Sequence, residues 1–360
     1  MVVKGGGMNR FEPTNLYKST RRNFLKVALC ASTSFLIGDS ITSAAYSAEK
    51  NFHNPIFPAI AADPEVLFSQ KTGRVYIYPT GNLPGAKEPG FTVWSSDNLV
   101  DWQCEGYVLR KSDIHWENCK FWAPSILERK GDDGVYRYYF YYCANEKIGV
   151  AVGEDPVGPF VDVGEIIGHD LRPQGRGGVE IDPFVFADPV SGKTYLYWGN
   201  SYLCVAELDA SLTAIKKETI RDITPENFFE GTYVFYRNGQ YYLTWSKNPT
   251  WDPNYEVWCA TSNSPLGPFT RQEKTPVILS KRPEKNILGP GHHSFLFLPN
   301  GENYIFYHRL VVPHKDQSYS RQVCLDRFEF ATDGSIMPIE PTHEGISKPV
   351  DLKSLASSLQ

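Results

Sequence analysis

The segment FFEGTYVFYRNGQYYLTWS, residues 228–246, indicates the fold class most clearly. A run of β-branched and aromatic residues, 232–236, leads into Asn238-Gly239, which is a strong hairpin signal, and residues 241–245 supply the returning strand. Glu230 stands at the mouth of this hairpin, directly after two phenylalanines. Apolar neighbours exclude water and favour the protonated form of a carboxyl group, which is the form that a general acid needs.

The same type of pattern continues through the chain from about residue 54. Short aromatic and β-branched runs alternate with Gly, Pro, Asn and Asp, and helical periodicity is almost absent. The runs form five similar units at intervals of about 50 to 60 residues, which open at Asp63, Trp122, Asp182, Glu230 and His292. Two units close with matching hexapeptides, DPVGPF at 155–160 and SPLGPF at 264–269. A repeat of this length and content predicts an all-β fold, a five-bladed β-propeller.

Three of the unit openings carry a carboxylate. The first strand of each propeller blade lines the central axis, so Asp63, Asp182 and Glu230 are expected to meet at one end of the channel. Carboxylates that face one another in a partly dry pocket cannot all keep ordinary pKa values, and one is held protonated. Glycoside hydrolysis requires this arrangement.

The first 48 residues differ from the rest. Arg21-Arg22 lies within the segment 18–26, an apolar run covers 27–38, and small residues suitable for cleavage follow at 43–45. These features predict a cleaved twin-arginine export signal, followed by a single catalytic propeller domain over 49–360. The apolar run is shorter than the roughly 20 residues of a membrane-spanning helix. We therefore expect an exported protein, periplasmic or extracellular, with no membrane insertion after cleavage.

Net charge and cysteine content limit the classes of partner and of metal site that we expect. Residues 1–48 carry six basic and two acidic side chains, so the formal net charge of −5 becomes −9 without them. An acidic chain without a basic run argues against nucleic acid and favours a neutral carbohydrate substrate. The remaining cysteines are scattered without a C-x-x-C pair, which argues against a zinc site. Disulfides and the oligomeric state stay open.

The motifs resemble those of glycoside hydrolase family 43, the five-bladed propellers that include β-xylosidases, α-L-arabinofuranosidases, arabinanases and some galactosidases. The resemblance covers nearly all of residues 54–345, with one motif in each blade. The motifs are Ala-Asp-Pro at 62–64, Trp-Ala-Pro-Ser at 122–125, Ile-Asp-Pro at 181–183, Glu-Gly at 230–231 and Gly-Pro-Gly-His-His-Ser at 289–294.

The resemblance implies an inverting hydrolase with a role for each carboxylate. Asp63 would be the general base that activates water, and Glu230 the general acid that protonates the leaving oxygen. Asp182 would be the third carboxylate, which raises the pKa of Glu230 and orients it. Inversion requires a base and an acid far enough apart to admit the water.

Further positions are candidate contacts for the substrate or for an ion. Trp122, with its neighbour Phe121, is expected to stack on the sugar ring, although a tryptophan in the core is an equal alternative. Arg309 resembles the arginine of the fifth blade that contacts substrate near the acid. His292 matches the histidine that in many relatives reaches a calcium ion or water cluster in the channel. No cofactor is required, and a structural calcium ion in the central channel is left open.

The sequence favours exo-action on a terminal pentose, α-L-arabinofuranosyl or β-D-xylosyl, of plant-type polysaccharides or oligosaccharides. Galactosidase and arabinanase specificities remain open, and so does a carbohydrate-binding propeller without turnover. A binding protein would be free to lose one carboxylate, and all three are present. The related invertase-like propellers are disfavoured, because Ile181 precedes Asp182 and Gly231 follows Glu230 where that group has Arg and Cys.

Overall fold

The computed structural model describes residues 53–82, 87–273, 276–312 and 320–357. The export signal predicted over residues 1–48 lies outside the described residues. The elements, in chain order, are β1 Ala62–Phe68, β2 Val75–Thr80, β3 Gly90–Ser96, β4 Gln103–Arg110, β5 Trp122–Lys130, β6 Tyr136–Ala144, β7 Lys147–Gly153, β8 Val161–Ile167, β9 Phe184–Ala187, β10 Thr194–Trp198, β11 Cys204–Glu207, β12 Arg221–Asp222, β13 Glu230–Arg237, β14 Gln240–Lys247, β15 Glu256–Ser262, β16 Thr270–Arg271, β17 Val277–Leu279, β18 Gly291–Phe297, β19 Asn303–Leu310, β20 Arg321–Phe328 and α1 Leu352–Ser357.

These strands form five antiparallel sheets, so the predicted five-bladed propeller is confirmed. The sheets are β1–β4, β5–β8, β9–β12, β13–β16 with β17 paired to β15, and β18–β20. The innermost strands β1, β5, β9, β13 and β18 contact one another in a ring around the axis. The predicted hairpin is also present: Arg237 pairs with Gln240, and both Asn238 and Gly239 have positive φ, as a type I′ turn requires.

The hydrophobic core lies between the blades. Among the described residues, each of five apolar clusters joins two neighbouring sheets. The two matching hexapeptides take part, because each offers a main-chain carbonyl to a tyrosine of the preceding blade. The Tyr78 hydroxyl donates to Pro156 O and the Tyr197 hydroxyl donates to Pro265 O, both at 2.7 Å. Tight packing between sheets, with buried hydroxyls satisfied, holds each blade against the next.

Residues before β1 close the ring. The Ile56 main-chain N–H donates to Val323 O on β20. The Asn54 side chain acts like an additional strand residue, because its amide donates to Leu325 O at 3.0 Å and its carbonyl accepts from Leu325 N–H at 2.8 Å. The N-terminal segment therefore completes the three-stranded fifth blade, which protects the edge of that sheet.

A backbone irregularity recurs where each blade begins. The residues concerned have positive φ and are Asp63, Ala123, Asp182, Gly231 and His292. In four blades a shift of register in the first strand accompanies it. By this alignment Trp122 and Glu230 stand one residue before the position that Asp63, Asp182 and His292 occupy. The five openings predicted to be equivalent are therefore of two kinds.

Candidate active site

A cavity of about 530 Å³ lies at the end of the channel where the blades begin. All three predicted carboxylates line it. The lining residues are Asp63, Trp122, Glu146, Val179, Ile181, Asp182, Asn200, Phe229, Glu230, Thr250, Trp251, His292 and Arg321. A single concave site that holds several buried ionisable groups is the expected place for chemistry.

Three basic side chains lie close to one carboxylate oxygen of Asp63. Its Oδ1 lies 2.8 Å from Arg321 Nη1, 3.0 Å from His308 Nδ1 and 3.2 Å from His292 Nδ1. Burial alone would raise the pKa of Asp63, but the Arg321 guanidinium and the two histidines outweigh it and hold that pKa well below its usual range. Asp63 is therefore ionised across the neutral range.

Glu230 has the opposite environment. The Tyr255 hydroxyl donates to its Oε1 at 2.8 Å, and the Asn200 amide donates to its Oε2 at 3.0 Å. Burial raises the pKa of Glu230 to about 7, and the negative charge of Asp63 adds to this effect, while the two hydrogen bonds oppose it. A carboxyl group with such a pKa can supply a proton near neutral pH.

The protonation of Asp182 is linked to that of Glu230. Its Oδ2 accepts a hydrogen bond from the Gly231 main-chain N–H at 3.1 Å and lies 3.8 Å from His292 Nδ1. Burial, then the charges of Glu230 and Asp63, raise the pKa of Asp182 well above its ordinary value. Carboxyl oxygens of Asp182 and Glu230 lie within 4.8 Å of each other. Two buried carboxylates at such a distance repel each other when both are ionised, so the pair keeps one proton into the neutral range.

Two predicted substrate contacts do not reach this cavity. Phe121 is buried in the core, where its ring packs against Phe91 with centroids 5.9 Å apart. Its neighbour Trp122 lines the cavity, because successive residues of an extended chain point to opposite sides, and its stacking on a sugar stays a prediction. Trp122 is therefore available to a sugar and Phe121 is not.

Arg309 is also absent from the cavity lining. Its guanidinium donates to Asn54 O at 3.1 Å and to Thr342 O at 3.4 Å, and lies 3.1 Å from His343 Nδ1. The physical reason is strand alternation: His308 faces Asp63, so the next residue of β19 faces away. Arg309 holds the N-terminal and C-terminal segments against the fifth blade, and the prediction of a substrate contact was wrong.

Arg321 is the arginine that the sequence interpretation missed. It begins β20 opposite Leu310, and residues directly opposite in an antiparallel pair share a face, so Arg321 lies on the same face as His308. His308 and Leu310 are two residues apart on β19 and therefore share a face. Pairing of β19 with β20 places Arg321 opposite Leu310, and this pairing would have indicated Arg321. Asn200 and Tyr255 were also missed, because each follows or precedes a strand in a loop without a motif.

His292 lies between the two aspartates and fits a metal only in part. One donor atom each from Asp182, Glu230 and His292 lie within 4.8 Å of one another. The neighbouring His293 has a buried Nδ1 without a hydrogen-bond partner among the described residues. His293 also lines a small space of about 20 Å³, together with residues that include Glu65 and Thr232. That space holds about one water molecule. Calcium prefers six to eight oxygen ligands, so an ion here would have to keep water ligands, and the channel ion stays a prediction.

Comparison with known proteins identifies the family. The profile of glycosyl hydrolases family 43 matches residues 52–336. The chain belongs to this family. A β-D-galactofuranosidase of Aspergillus niger is 33% identical over 306 residues, which cover 81% of this chain and 86% of the relative. A xylosidase/arabinosidase of Bacteroides ovatus is 25% identical and covers 79% of this chain and 96% of its own length.

Solved structures of family 43 share the fold. A thermostable family 43 glycoside hydrolase superposes with a TM-score of 0.66 at 30% identity, over 81% of this chain and 96% of that one. An α-L-arabinofuranosidase of Clostridium thermocellum superposes with a TM-score of 0.65 at 26% identity, over 85% of this chain and all of that one. This family 43 protein is therefore a glycoside hydrolase. No helix in the described part of the chain combines the length and hydropathy that a membrane crossing needs.

Proposed function

We propose that this family 43 protein is an inverting, exo-acting glycoside hydrolase that removes a terminal pentose, α-L-arabinofuranosyl or β-D-xylosyl, from plant-type polysaccharides or oligosaccharides. The observation that carries the proposal is the opposite state of two carboxyl groups in one cavity. Asp63 is held ionised beside Arg321, whereas Glu230 keeps its proton up to about pH 7. One group is ready to accept a proton and the other to donate one.

The reaction then follows in a single displacement. Asp63 takes a proton from a water molecule while the water oxygen attacks the anomeric carbon. The bond from that carbon to the glycosidic oxygen breaks, and the proton of Glu230 passes to the leaving oxygen. Before the reaction one proton is shared by Asp182 and Glu230, which keeps Glu230 protonated at the start of the cycle, and the Gly231 N–H donates to Asp182.

The cavity wall supports recognition of one terminal sugar. Trp122, Phe229 and Trp251 supply aromatic surface, and Thr250 and Asn200 supply hydrogen-bonding groups. Sugar rings bind to aromatic faces through their C–H groups and to polar side chains through their hydroxyls. A cavity of about 530 Å³ lined in this way has room for a monosaccharide unit at the end of a chain.

A second specificity, for a terminal β-D-galactofuranosyl unit, is favoured by the relative at 33% identity, which is named as a β-D-galactofuranosidase. The α-L-arabinofuranosyl and β-D-galactofuranosyl units share the configuration of their ring carbons. The galactofuranosyl unit carries one additional hydroxymethyl group on its exocyclic carbon. A cavity that accepts one ring therefore differs from a cavity for the other mainly in the space beside the exocyclic carbon.

A panel of aryl glycosides tests both specificities. We expect turnover of p-nitrophenyl α-L-arabinofuranoside, β-D-xyloside or β-D-galactofuranoside, with the anomer of the released sugar inverted when followed by NMR. Retention of configuration would contradict the single displacement, and binding of polysaccharide without cleavage of any glycoside would contradict turnover.

Glu230→Gln and Asp63→Asn test the two roles. Glu230→Gln should lose about 100-fold or more in kcat on glycosides with poor leaving groups and far less on activated aryl glycosides, because the latter need little protonation. Asp63→Asn should abolish turnover on every substrate. Equal losses of Glu230→Gln on both classes, or a large residual rate of Asp63→Asn, would reassign the acid or the base.

Export through the twin-arginine route remains part of the proposal, with the mature enzyme in the periplasm or outside the cell. The support is the Arg21-Arg22 pair and the apolar run that follows it. A catalytic site that acts on polysaccharides fits this location, because such substrates are too large to enter the cytoplasm intact.

A further inference from the structure

The loop between β14 and β15 reaches both halves of the catalytic site. Residues Asn248 to Tyr255 form it, and its backbone is held by internal turns, in which Asp252 N–H donates to Pro249 O and Tyr255 N–H donates to Asp252 O. Thr250 and Trp251 line the cavity, whereas Tyr255 is fully buried behind it. No motif in the sequence singles out this loop.

Tyr255 contacts Glu230, the proposed general acid, through its hydroxyl. Its ring packs against His308, which lies beside the proposed general base Asp63. The hydroxyl donates to Glu230 Oε1 at 2.8 Å. The ring lies parallel to the imidazole of His308, with centroids 5.4 Å apart and planes inclined by 5°. Gly291 makes room for the ring, since a Cβ atom there would lie 2.5 Å from Tyr255 Cδ1.

His308 continues this chain of contacts to the base. Its Nδ1 lies 3.0 Å from Asp63 Oδ1 and 3.2 Å from the Asp63 main-chain nitrogen. Its Nε2 lies 3.2 Å from Thr250 Oγ1, which also accepts a hydrogen bond from Arg321 Nη1 at 3.0 Å. The imidazole is completely buried and does not line the cavity, so its contacts serve other side chains and not the sugar.

We propose that Tyr255 and His308 form a positioning pair that fixes the general acid Glu230 relative to the general base Asp63. The inference rests on the function proposed above. A flat ring packed on a flat imidazole holds both groups in place, because both are fully buried in the packed interior. Neither residue lines the cavity that would hold the sugar, so each acts through the carboxyl group that it touches.

The pair also contributes to the two limits of the pH profile. The Tyr255 hydrogen bond stabilises the ionised form of Glu230 and lowers its pKa, and the His308 contact does the same for Asp63. The other charged or titratable groups that face these residues are Asp182 before β9, His292 on β18 and Arg321 on β20.

Tyr255→Phe keeps the ring and removes the hydroxyl. We expect the basic limb of the kcat/KM profile to move to higher pH by about 0.5 to 1 unit, because Glu230 loses a donor to its ionised form. We also expect kcat to fall about 3- to 30-fold with little change in KM, since orientation is lost and the sugar contacts are not. His308→Gln should instead move the acidic limb to higher pH.

Tyr241→Phe is the matched control. Its hydroxyl also donates to a buried carboxylate, Asp188 Oδ1, at 2.9 Å, and neither residue lines the cavity. It should lower the thermal midpoint by a similar amount and leave both limbs and kcat unchanged.

The outcomes separate this inference from the proposed function. If Tyr255→Phe lowers the thermal midpoint as Tyr241→Phe does while its basic limb stays in place, the positioning pair is wrong. If Glu230→Gln and Asp63→Asn keep full activity, the proposed function itself is wrong. Loss of activity in those two variants, together with the shifted limb in Tyr255→Phe, supports both.

Discussion

At the scale of single residues, the site depends on how one proton is shared between Asp182 and Glu230. Both carboxyl groups are buried, and burial raises the pKa of each. The charges of Glu230 and Asp63 add to this effect at Asp182, and the charge of Asp63 adds to it at Glu230. Asp63 escapes this effect because Arg321 lies 2.8 Å from its Oδ1. Three carboxylates of similar intrinsic acidity thus take different states, and the difference comes from their neighbours.

Asp182→Asn should move the basic limb of the pH–rate profile to lower pH by about one unit. Asparagine can still accept the Gly231 N–H, but it carries no charge, so Glu230 no longer feels a negative partner and releases its proton earlier. Initial rates of an activated aryl glycoside across the pH range would measure the shift. An unmoved limb would contradict the shared proton.

At the scale of elements, the opening of each first strand determines which side chains enter the cavity. The positive-φ position carries Asp63 and Asp182 in two blades, His292 in the fifth and Gly231 in the fourth. Glu230 stands one residue earlier in its strand, and this difference lets the Gly231 N–H donate to Asp182 beside it. The fourth blade uses a glycine there, which adopts positive φ without strain from a Cβ atom.

Gly231→Ala tests this opening. A Cβ atom at φ +65 would lie 3.2 Å from His292 Cγ and 3.3 Å from Ser246 Oγ. We expect a loss of about 1–2 kcal/mol in the free energy of unfolding and a fall of at least about tenfold in kcat, because the strained backbone displaces Glu230 and the N–H that serves Asp182.

Gly239→Ala is the control for this variant. Gly239 has φ +86 in the hairpin turn, and a Cβ atom there would meet nothing within 4 Å. Denaturant titration should show a loss of about 1 kcal/mol with unchanged kcat. If both variants kept full activity, the opening of β13 would not position the acid.

At the scale of the whole molecule, the propeller buries titratable groups along its axis, and its stability depends on pH as a result. Glu65 on β1 accepts a hydrogen bond from Ser125 Oγ at 3.0 Å, and burial raises its pKa to about 8. The folded state therefore keeps a proton that the unfolded chain releases near pH 4.3. Stability from this group is lost as the pH rises towards 8.

The buried histidines have the opposite effect on the stability of the fold, and they act over a lower pH range. Burial lowers the pKa of His293 and His308 to about 3, so they favour unfolding only below about pH 6.5, where the unfolded chain binds their protons. Between about pH 6.5 and 8 the carboxylates act without this opposition, and we expect stability to fall.

Glu65→Gln should remove part of that fall, up to about 2 kcal/mol between pH 6.5 and 8. Urea unfolding at several pH values in this range would measure the slope. Glu302→Gln is the control, because Glu302 is partly exposed and its pKa is lowered, so that it titrates below this range. An identical slope in wild type and Glu65→Gln would show that Glu65 is ionised in the folded protein.

The fold class, the number of blades and the three carboxylates could be predicted from local signals in the chain. Strand periodicity, the Asn238-Gly239 turn and the repeated hexapeptides are local signals, and each depends on residues close together in the chain. The motif in each blade located Asp63, Asp182 and Glu230 because every motif is also local. The structure brings all three into one cavity.

The other side chains of the site, and the ionisation of each carboxyl group, depend on contacts between blades that no local pattern encodes. Arg321 and not Arg309 faces Asp63, because pairing of β19 with β20 and strand alternation fix the direction of each side chain. Tyr255 and His308 meet only when the fourth and fifth blades pack together. The pKa of a carboxyl group depends on burial and on charges that come from other blades, and closure of the ring is the step that brings them near.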